Sequence, residues 1–290
     1  VVSIIGIFIA LAVGVVLGAG PLQSRIQAGV NSSTTTSAAD PLLSAQADAE
    51  AAGLKALASS TLTGSLSSAK VALVVLPGAS DDDVSAIRST LTDAGASIVG
   101  RVTLTDNWHS TSMSQYRTTL STTLASHLAS GAAKTASADG VVGYSIVQVL
   151  TTTGAETDLL RQILSDESTP IMTVDEDANG GATAIVAVGP RAQATAASNA
   201  TPAAVTQSSE AWVGLGQALG STNGVLVGDA STRDALISQV RASGVTVTTV
   251  DSVGTTLAAV DTALALSSPA TTVRAFGVGT GAQSVIPSVK

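Results

Sequence analysis

The chain has 290 residues, enough for one large or two small globular units, with 13 basic and 21 acidic residues and a formal net charge of −8. This charge balance argues against nucleic acid as a partner, because a nucleic-acid-binding protein needs a basic face to displace counterions from phosphates. The absence of cysteine excludes disulfides and thiolate metal sites, and two methionines with two histidines leave few ligands for a soft metal.

The first twenty residues, 1–20, carry no charged side chain. A helix of that length rises about 30 Å, which matches the hydrocarbon core of a bilayer. We therefore favour a transmembrane anchor over a cleaved signal peptide, whose apolar stretch is shorter. Because residues 21–69 hold only two cations, the positive-inside rule places the rest of the chain outside the cytoplasm, in the cell envelope.

Small residues recur at every fourth position of this anchor, at Gly6, Ala10, Gly14 and Gly18. Such a stripe lets two helix backbones approach closely, although glycine is also common in membrane helices for other reasons. We predict helix packing through this stripe, either in a homo-oligomer or with another protein of the envelope.

Residues 21–69 are predicted to be a tether with a weak helical stalk. Residues 31–37 form a low-complexity run of Asn, Ser and Thr with too little apolar surface to fold. Residues 42–58 are rich in alanine and favour a helix, but their apolar positions are too sparse for a coiled coil.

From residue 70 onward, short apolar runs alternate with helical patterns. We predict strands at 71–76, 97–104, 170–174, 184–188, 225–227, 245–250 and 273–276, and helices at 81–95, 114–130, 159–164, 209–219, 232–242 and 255–266. This alternation predicts an α/β fold over 70–290, with a mostly parallel sheet and right-handed crossovers. The halves 70–178 and 179–290 form either one sheet or two lobes.

The turn after the first predicted strand opens a helix with Asp81, Asp82 and Asp83. Ligands of open α/β sheets bind at this edge, but three carboxylates would repel a phosphate. Carboxylates in a first turn also stabilise the helix dipole and free N–H groups, and we interpret them in that way.

A second acidic segment places Asp175, Asp177 and Asn179 at alternate positions before Gly180. This pattern matches the opening of a calcium-binding loop, but the twelfth position is Val186 rather than glutamate. Because the segment also lies between two predicted strands, we favour a polar hairpin turn, with a calcium site as the alternative.

His109 and Met113 offer an imidazole and a thioether four residues apart, so that one helix face would present both to copper. Two ligands are an incomplete shell, and the alternative is a surface histidine beside a packed Trp108. The sequence contains no G-x-S-x-G elbow and no Walker lysine after a glycine loop. We therefore predict that the protein is not an enzyme.

Three stretches together resemble the actinobacterial MctB-like family: residues 8–18 (FIALAVGVVLG), 77–84 (PGASDDDV) and 276–287 (FGVGTGAQSVIP). The resemblance implies copper transport or copper homeostasis in the envelope, with copper as the ligand. Related members also resemble envelope partners in the control of cell division and wall hydrolysis, so the alternative function is a non-enzymatic scaffold. Members usually carry a charged stalk, whereas residues 22–60 here are nearly uncharged.

Overall fold

The strands in the described part of the chain form a single seven-stranded sheet. The structure, a computed structural model, describes residues 41–192, 207–268 and 272–288. The strands are β1 (Lys70–Val75), β2 (Ser97–Leu104), β3 (Met172–Glu176), β4 (Ala184–Val188), β5 (Gly224–Val227), β6 (Thr248–Val250) and β7 (Ala275–Phe276). Their order is β3-β2-β1-β4-β5-β6-β7, and only the β2–β3 pair is antiparallel. Both predicted halves therefore contribute to one sheet, and the predicted mostly parallel α/β fold is confirmed.

Helices cover both faces of this sheet. They are α1 (Pro41–Leu62), α2 (Asp81–Asp93), α3 (Asp106–His109), α4 (Ser114–His127), α5 (Gly131–Lys134), α6 (Ala138–Thr151), α7 (Ala155–Leu164), α8 (Ser209–Gly220), α9 (Leu236–Ala242) and α10 (Thr256–Ser267). Since both faces are covered, the central strands are almost wholly apolar, as expected of a parallel sheet. β4 and β5 are buried at every position.

Alternation along the strands divides the buried side chains between two cores. Ala72 and Val74 of β1 face the core built with α4, α6, α7, α8 and α9. Leu73 and Val75 face the core built with α1, α2 and α10. The sheet lies between the two cores, and its strands contribute side chains to both.

The chain divides into two compact units, 1–48 and 49–290. In the first unit, the described residues 41–48 are helical. In the second unit, Ala58 and Leu62 of α1 and the following Leu66 are buried among core side chains. The end of the predicted stalk is therefore part of the folded unit.

The predicted hairpin between β3 and β4 is wrong. β3 lies at the sheet edge beside β2, whereas β4 lies on the far side of β1. The connection crosses close to β2, where a Cβ added to Gly100 would lie 2.5 Å from the Cβ of Ala178. Only glycine at position 100 leaves room for this crossing, because real Cβ atoms do not approach so closely.

Helix α6 was absent from the predicted elements, although it is among the most buried. It packs against α8 through two glycines, and a Cβ on Gly143 would lie 2.7 Å from the carbonyl oxygen of Gly214. Such close contact requires residues without side chains at the crossing. A helix buried on nearly all sides has little amphipathic pattern, which explains why its periodicity did not reveal it.

The transmembrane prediction concerns residues that the structure does not describe. Among the described helices, none is both long and apolar enough to cross a bilayer. The predicted anchor 1–20 and its stripe of Gly6, Ala10, Gly14 and Gly18 lie outside the described residues.

Candidate functional site

A cleft opens at the carboxyl edge of the sheet, between the ends of β1 and β4. The chain leaves β1 towards β2 on one side and returns to β4 on the other, which makes this the topological switch point where open α/β sheets bind ligands. Pro77 and Gly78 after β1, and Pro190 and Arg191 after β4, line it. Its volume of about 670 Å³ is in the range of small-molecule sites. We call it the switch-point cleft.

His109 forms part of the wall of the switch-point cleft. It ends α3, a short helix that begins where the Thr105 hydroxyl accepts a hydrogen bond from the backbone N–H of Asn107. The neighbouring Trp108 is 1% exposed and packs in the core, with its ring centroid 5.8 Å from that of His109. The packed indole therefore lies beside the imidazole, with the two rings tilted by 36°.

His109 is only 3% exposed, and its Nδ1 has no hydrogen-bond partner of ordinary geometry among the residues that the structure describes. Burial lowers the pKa of His109; Asp106 and the Thr105 carbonyl act in the opposite direction, whereas Arg117 lowers it further. The ring is consequently neutral near pH 7, and neutral imidazole is the form that binds metals.

The cleft is negatively charged. Asp106, Asp229 and Asp234 contribute carboxylates, and Arg191 is the only cationic residue among the described residues that line it. The guanidinium of Arg191 is already paired with Asp83, with two nitrogen–oxygen distances of 2.7 and 2.6 Å. A cleft with one sign of charge concentrates ligands of the opposite sign, which here are cations.

The remaining wall mixes amide and apolar side chains. Gln207 and Gln239 supply amides, and Trp212 and Leu236 supply apolar surface. Trp212 comes from α8 and Leu236 from α9, while Asp229 follows β5. No local sequence pattern marks these residues, because only the strand order brings the three elements to His109.

A buried ion pair holds α3 in place. Arg117 of α4 and Asp139 of α6 are 0% and 7% exposed, and the Nε of Arg117 lies 2.5 Å from a carboxylate oxygen of Asp139. The same guanidinium donates to the carbonyl oxygens of Asn107 and Ser110, at 3.2 and 2.7 Å. Since these carbonyls flank His109, the ion pair positions the histidine against the cleft.

Met113 does not share a helix with His109. Ser110 has an extended backbone (φ −64°, ψ 132°) that ends α3, and Met113 lies in the separate 3-10 turn Thr111–Met113. The single helix face expected to carry both ligands is therefore not formed, and Met113 is not among the residues that line the cleft. Within the part of the chain that the structure describes, no three His, Cys, Asp or Glu side chains form a group that could hold a metal ion.

The predicted acidic segment lies elsewhere, at the edge of the sheet. Asp175 accepts a hydrogen bond of 2.6 Å from Thr103 and pairs with Arg101, while Asp177 pairs with Arg161. The backbone N–H of Asn179 donates to Asp177 at 2.9 Å. The structure thus places these carboxylates beside guanidinium groups, in a strand end and a polar turn.

The sheet and its switch-point cleft define the class as an open-sheet α/β protein with an acidic cleft at its switch point. The chain belongs to the MctB family: the family described as "Copper transport outer membrane protein, MctB" matches residues 1–287. This confirms the family resemblance and gives the chain a role in copper transport and homeostasis. No curated protein matches the chain.

Proposed function

We propose that the chain takes up copper as cargo in the switch-point cleft, and that it does so without catalysing a reaction. The observation that carries this proposal is the position of His109, a neutral buried imidazole in the wall of an acidic cleft. Imidazole is a good ligand for copper, and the carboxylates attract the cation. Membership of the copper-transport family indicates which metal is carried. The position of His109 in the acidic cleft supports this cleft as the binding site.

The cleft offers copper few protein ligands. One imidazole with nearby carboxylates provides nitrogen and oxygen donors, which suit Cu(II) better than Cu(I), whose preferred ligands are thiolates and thioethers. A transport site must bind its ion well enough to admit it and weakly enough to release it. We therefore expect copper in this cleft to be bound weakly and to exchange readily.

Calorimetric titration of the detergent-solubilised full chain with Cu(II) tests this proposal. We expect His109→Ala to weaken binding by about tenfold or more, because copper loses its nitrogen ligand. The matched control is His127→Ala. His127 ends α4, pairs with Glu156 at 2.5 Å and does not line the cleft. Equal affinity of the two variants would show that the cleft is not the copper site.

We also propose that residues 1–20 anchor the chain in an envelope membrane, with the folded unit outside the cytoplasm. The support is the uncharged stretch of twenty residues and the scarcity of cations in the residues that follow. The stripe of Gly6, Ala10, Gly14 and Gly18 would then pack against a second copy or a partner helix.

Chemical cross-linking in native membranes tests the stripe. We expect the double variant Gly14→Leu, Gly18→Leu to lose the cross-linked species that the wild-type chain forms, because two large side chains keep the helix backbones apart. The control is Val13→Leu, Val15→Leu, which adds bulk beside the stripe. Undiminished cross-linking of the glycine variant would exclude the stripe as an interface.

A further inference from the structure

We propose that residues 277–288 form a strap that opens and closes as one unit, and that the carboxylate of Asp251 is its latch. The strap follows β7, the last strand of the sheet, and covers the outer edge of that strand. When the strap opens, it uncovers this edge while both cores stay folded. The strap is held by polar contacts that converge on one buried carboxylate, and copper has no part in it.

The strap satisfies the backbone groups at the outer edge of β7. The carbonyl oxygen of Ala275 accepts hydrogen bonds from the backbone N–H groups of Gln283 and Ser284, at 2.8 and 3.2 Å. The backbone N–H of Ala275 donates to the side-chain oxygen of Gln283 at 3.2 Å. A sheet edge whose N–H and C=O groups are unpaired is a template for pairing with another chain. The closed strap therefore blocks such pairing at β7.

Burial of apolar surface contributes little to holding the strap. Only Gly277 and Pro287 of the strap are buried. Its larger apolar side chains are 69%, 52% and 46% exposed, in the order Val278, Val285 and Ile286. Segments with few buried apolar contacts open at a lower free energy than the core of a fold. The strap is therefore expected to open without global unfolding.

Asp251 receives the start of the strap. This residue follows β6 and is 1% exposed. One of its carboxylate oxygens accepts a hydrogen bond from the backbone N–H of Val278 at 2.8 Å, and the other accepts from Gly279 at 3.0 Å. Hydrogen bonds to an ionised group are stronger than those between neutral groups. A single side chain thus holds two successive backbone groups of the strap.

Arg241 of α9 completes the latch. Its guanidinium pairs with Asp251 at 2.9 Å and is also largely buried. The same group donates to the carbonyl oxygens of Phe276 and Thr280, both at 2.9 Å. The ion pair therefore bonds the backbone before and after the residues that Asp251 holds. Loss of the carboxylate would leave a buried guanidinium without its charged partner, which is costly.

The glycines at the start of the strap are required by this latch. Gly277 has a φ of 121°, and a Cβ at this position would collide with the carboxylate of Asp251. A Cβ on Gly279 would lie 2.7 Å from the Cβ of Ala230, closer than real Cβ atoms approach. The glycine-rich run after β7 therefore fits around a carboxylate of the protein itself.

Hydrogen exchange of the detergent-solubilised full chain, followed by mass spectrometry, tests the strap. In the wild-type chain we expect amides of the strap to exchange at least about tenfold faster than those of β4, because local opening costs less than unfolding. Gly277→Ala should accelerate the strap by a further factor of about ten or more, because the added methyl group displaces the carboxylate of Asp251. The acceleration should include Gln283 and Ser284, whose N–H groups donate to Ala275 and not to Asp251.

The matched control is Gly154→Ala. Gly154 precedes α7 and has nearly the same φ, 124°, but a Cβ there would meet no atom within 4 Å. The strained backbone destabilises the whole fold and leaves the latch intact. This variant should accelerate exchange in β4 and leave the strap at its wild-type rate. Asp251→Asn replaces Gly277→Ala in the comparison should the latter fail to fold.

Three outcomes would overturn the proposal. Strap amides that exchange as slowly as those of β4 in the wild-type chain would show that the strap opens only on global unfolding. An equal response of the strap to Gly154→Ala and Gly277→Ala would show the same. Acceleration confined to residues 277–279 would show that Asp251 holds these residues alone and is not the latch of the whole strap.

Discussion

Replacing Arg117 by methionine is expected to lower the free energy of unfolding by about 3–5 kcal/mol, because a buried carboxylate then loses its charged partner. Arg117 is fully buried, and Asp139 is nearly so. The substitution also removes the donor for the carbonyl oxygens of Asn107 and Ser110. Urea denaturation followed by circular dichroism measures the change.

The matched control is Arg88→Met. Arg88 forms a bidentate pair with Glu176, at 2.6 and 3.2 Å, but each of these side chains is 41% exposed. Exposed pairs contribute about 0–1 kcal/mol, so this variant should lose little. The double variant Arg117→Met, Asp139→Leu should recover part of the loss, because it removes the unpaired charge as well. A loss for Arg117→Met no larger than that of Arg88→Met would contradict the account of the buried pair.

Asp261 is expected to destabilise the folded chain progressively as the pH rises from about 4 to 7. This residue lies in α10 with 0% exposure, and neither carboxylate oxygen has a hydrogen-bond partner among the described residues. Burial, together with the charge of Asp251, raises the pKa of Asp261 to about 7. The folded chain therefore favours the neutral acid.

The sign of this pH dependence follows from the protonation of Asp261 in the folded and unfolded chains. In the unfolded chain Asp261 releases its proton near its ordinary pKa of 3.8, whereas the folded chain retains it up to about pH 7. Each pH unit between these values removes about 1.4 kcal/mol of stability, and the total loss is about 4 kcal/mol. Above pH 7 the penalty is constant.

Asp251 affects the stability of the folded chain in a different, more acidic pH range. Its burial tends to raise the pKa, but hydrogen bonds from Ser252, Val278, Arg241 and Gly279 outweigh burial, so the pKa of Asp251 is lowered. The stability that it contributes is present above its unfolded pKa and is lost as the pH falls below it. The two residues can therefore be distinguished by pH.

Urea midpoints at pH 4.5, 6 and 7.5 test the role of Asp261. We expect the free energy of unfolding of Asp261→Asn to rise relative to that of the wild-type chain between these values, because the amide does not titrate. Asp93→Asn, at an exposed position of α2, is the control and should keep the wild-type slope. An Asp261→Asn variant with an unchanged slope would show that the carboxyl group is not responsible.

The sequence was sufficient for elements with a clear local pattern. Strand β2 and the start of α4 were predicted at their observed positions. An apolar run and a polar residue at the beginning of a helix are both features of a short stretch of sequence. The pairing of β3 with β2 was not predictable, since it depends on contacts between residues about 70 positions apart. α6 was missed because burial on almost every side removes the helical period.

The candidate site was predicted only in part. His109 stood out as an imidazole beside a tryptophan in a histidine-poor chain. Met113 was grouped with it on the assumption of a continuous helix, which the extended Ser110 interrupts. Trp212 and Asp229 had no local signal, because they belong to the cleft only through the position of β4 and β5 beside β1.

The central claim is that His109 is the nitrogen ligand of copper in the switch-point cleft. Electron paramagnetic resonance of the full chain with less than one equivalent of Cu(II) tests it most directly, because the spectrum and its modulation report a coordinated imidazole. We expect the signature of a single histidine, retained in His127→Ala and lost in His109→Ala. A signature that survives in folded His109→Ala, or one that disappears in His127→Ala, would contradict the claim.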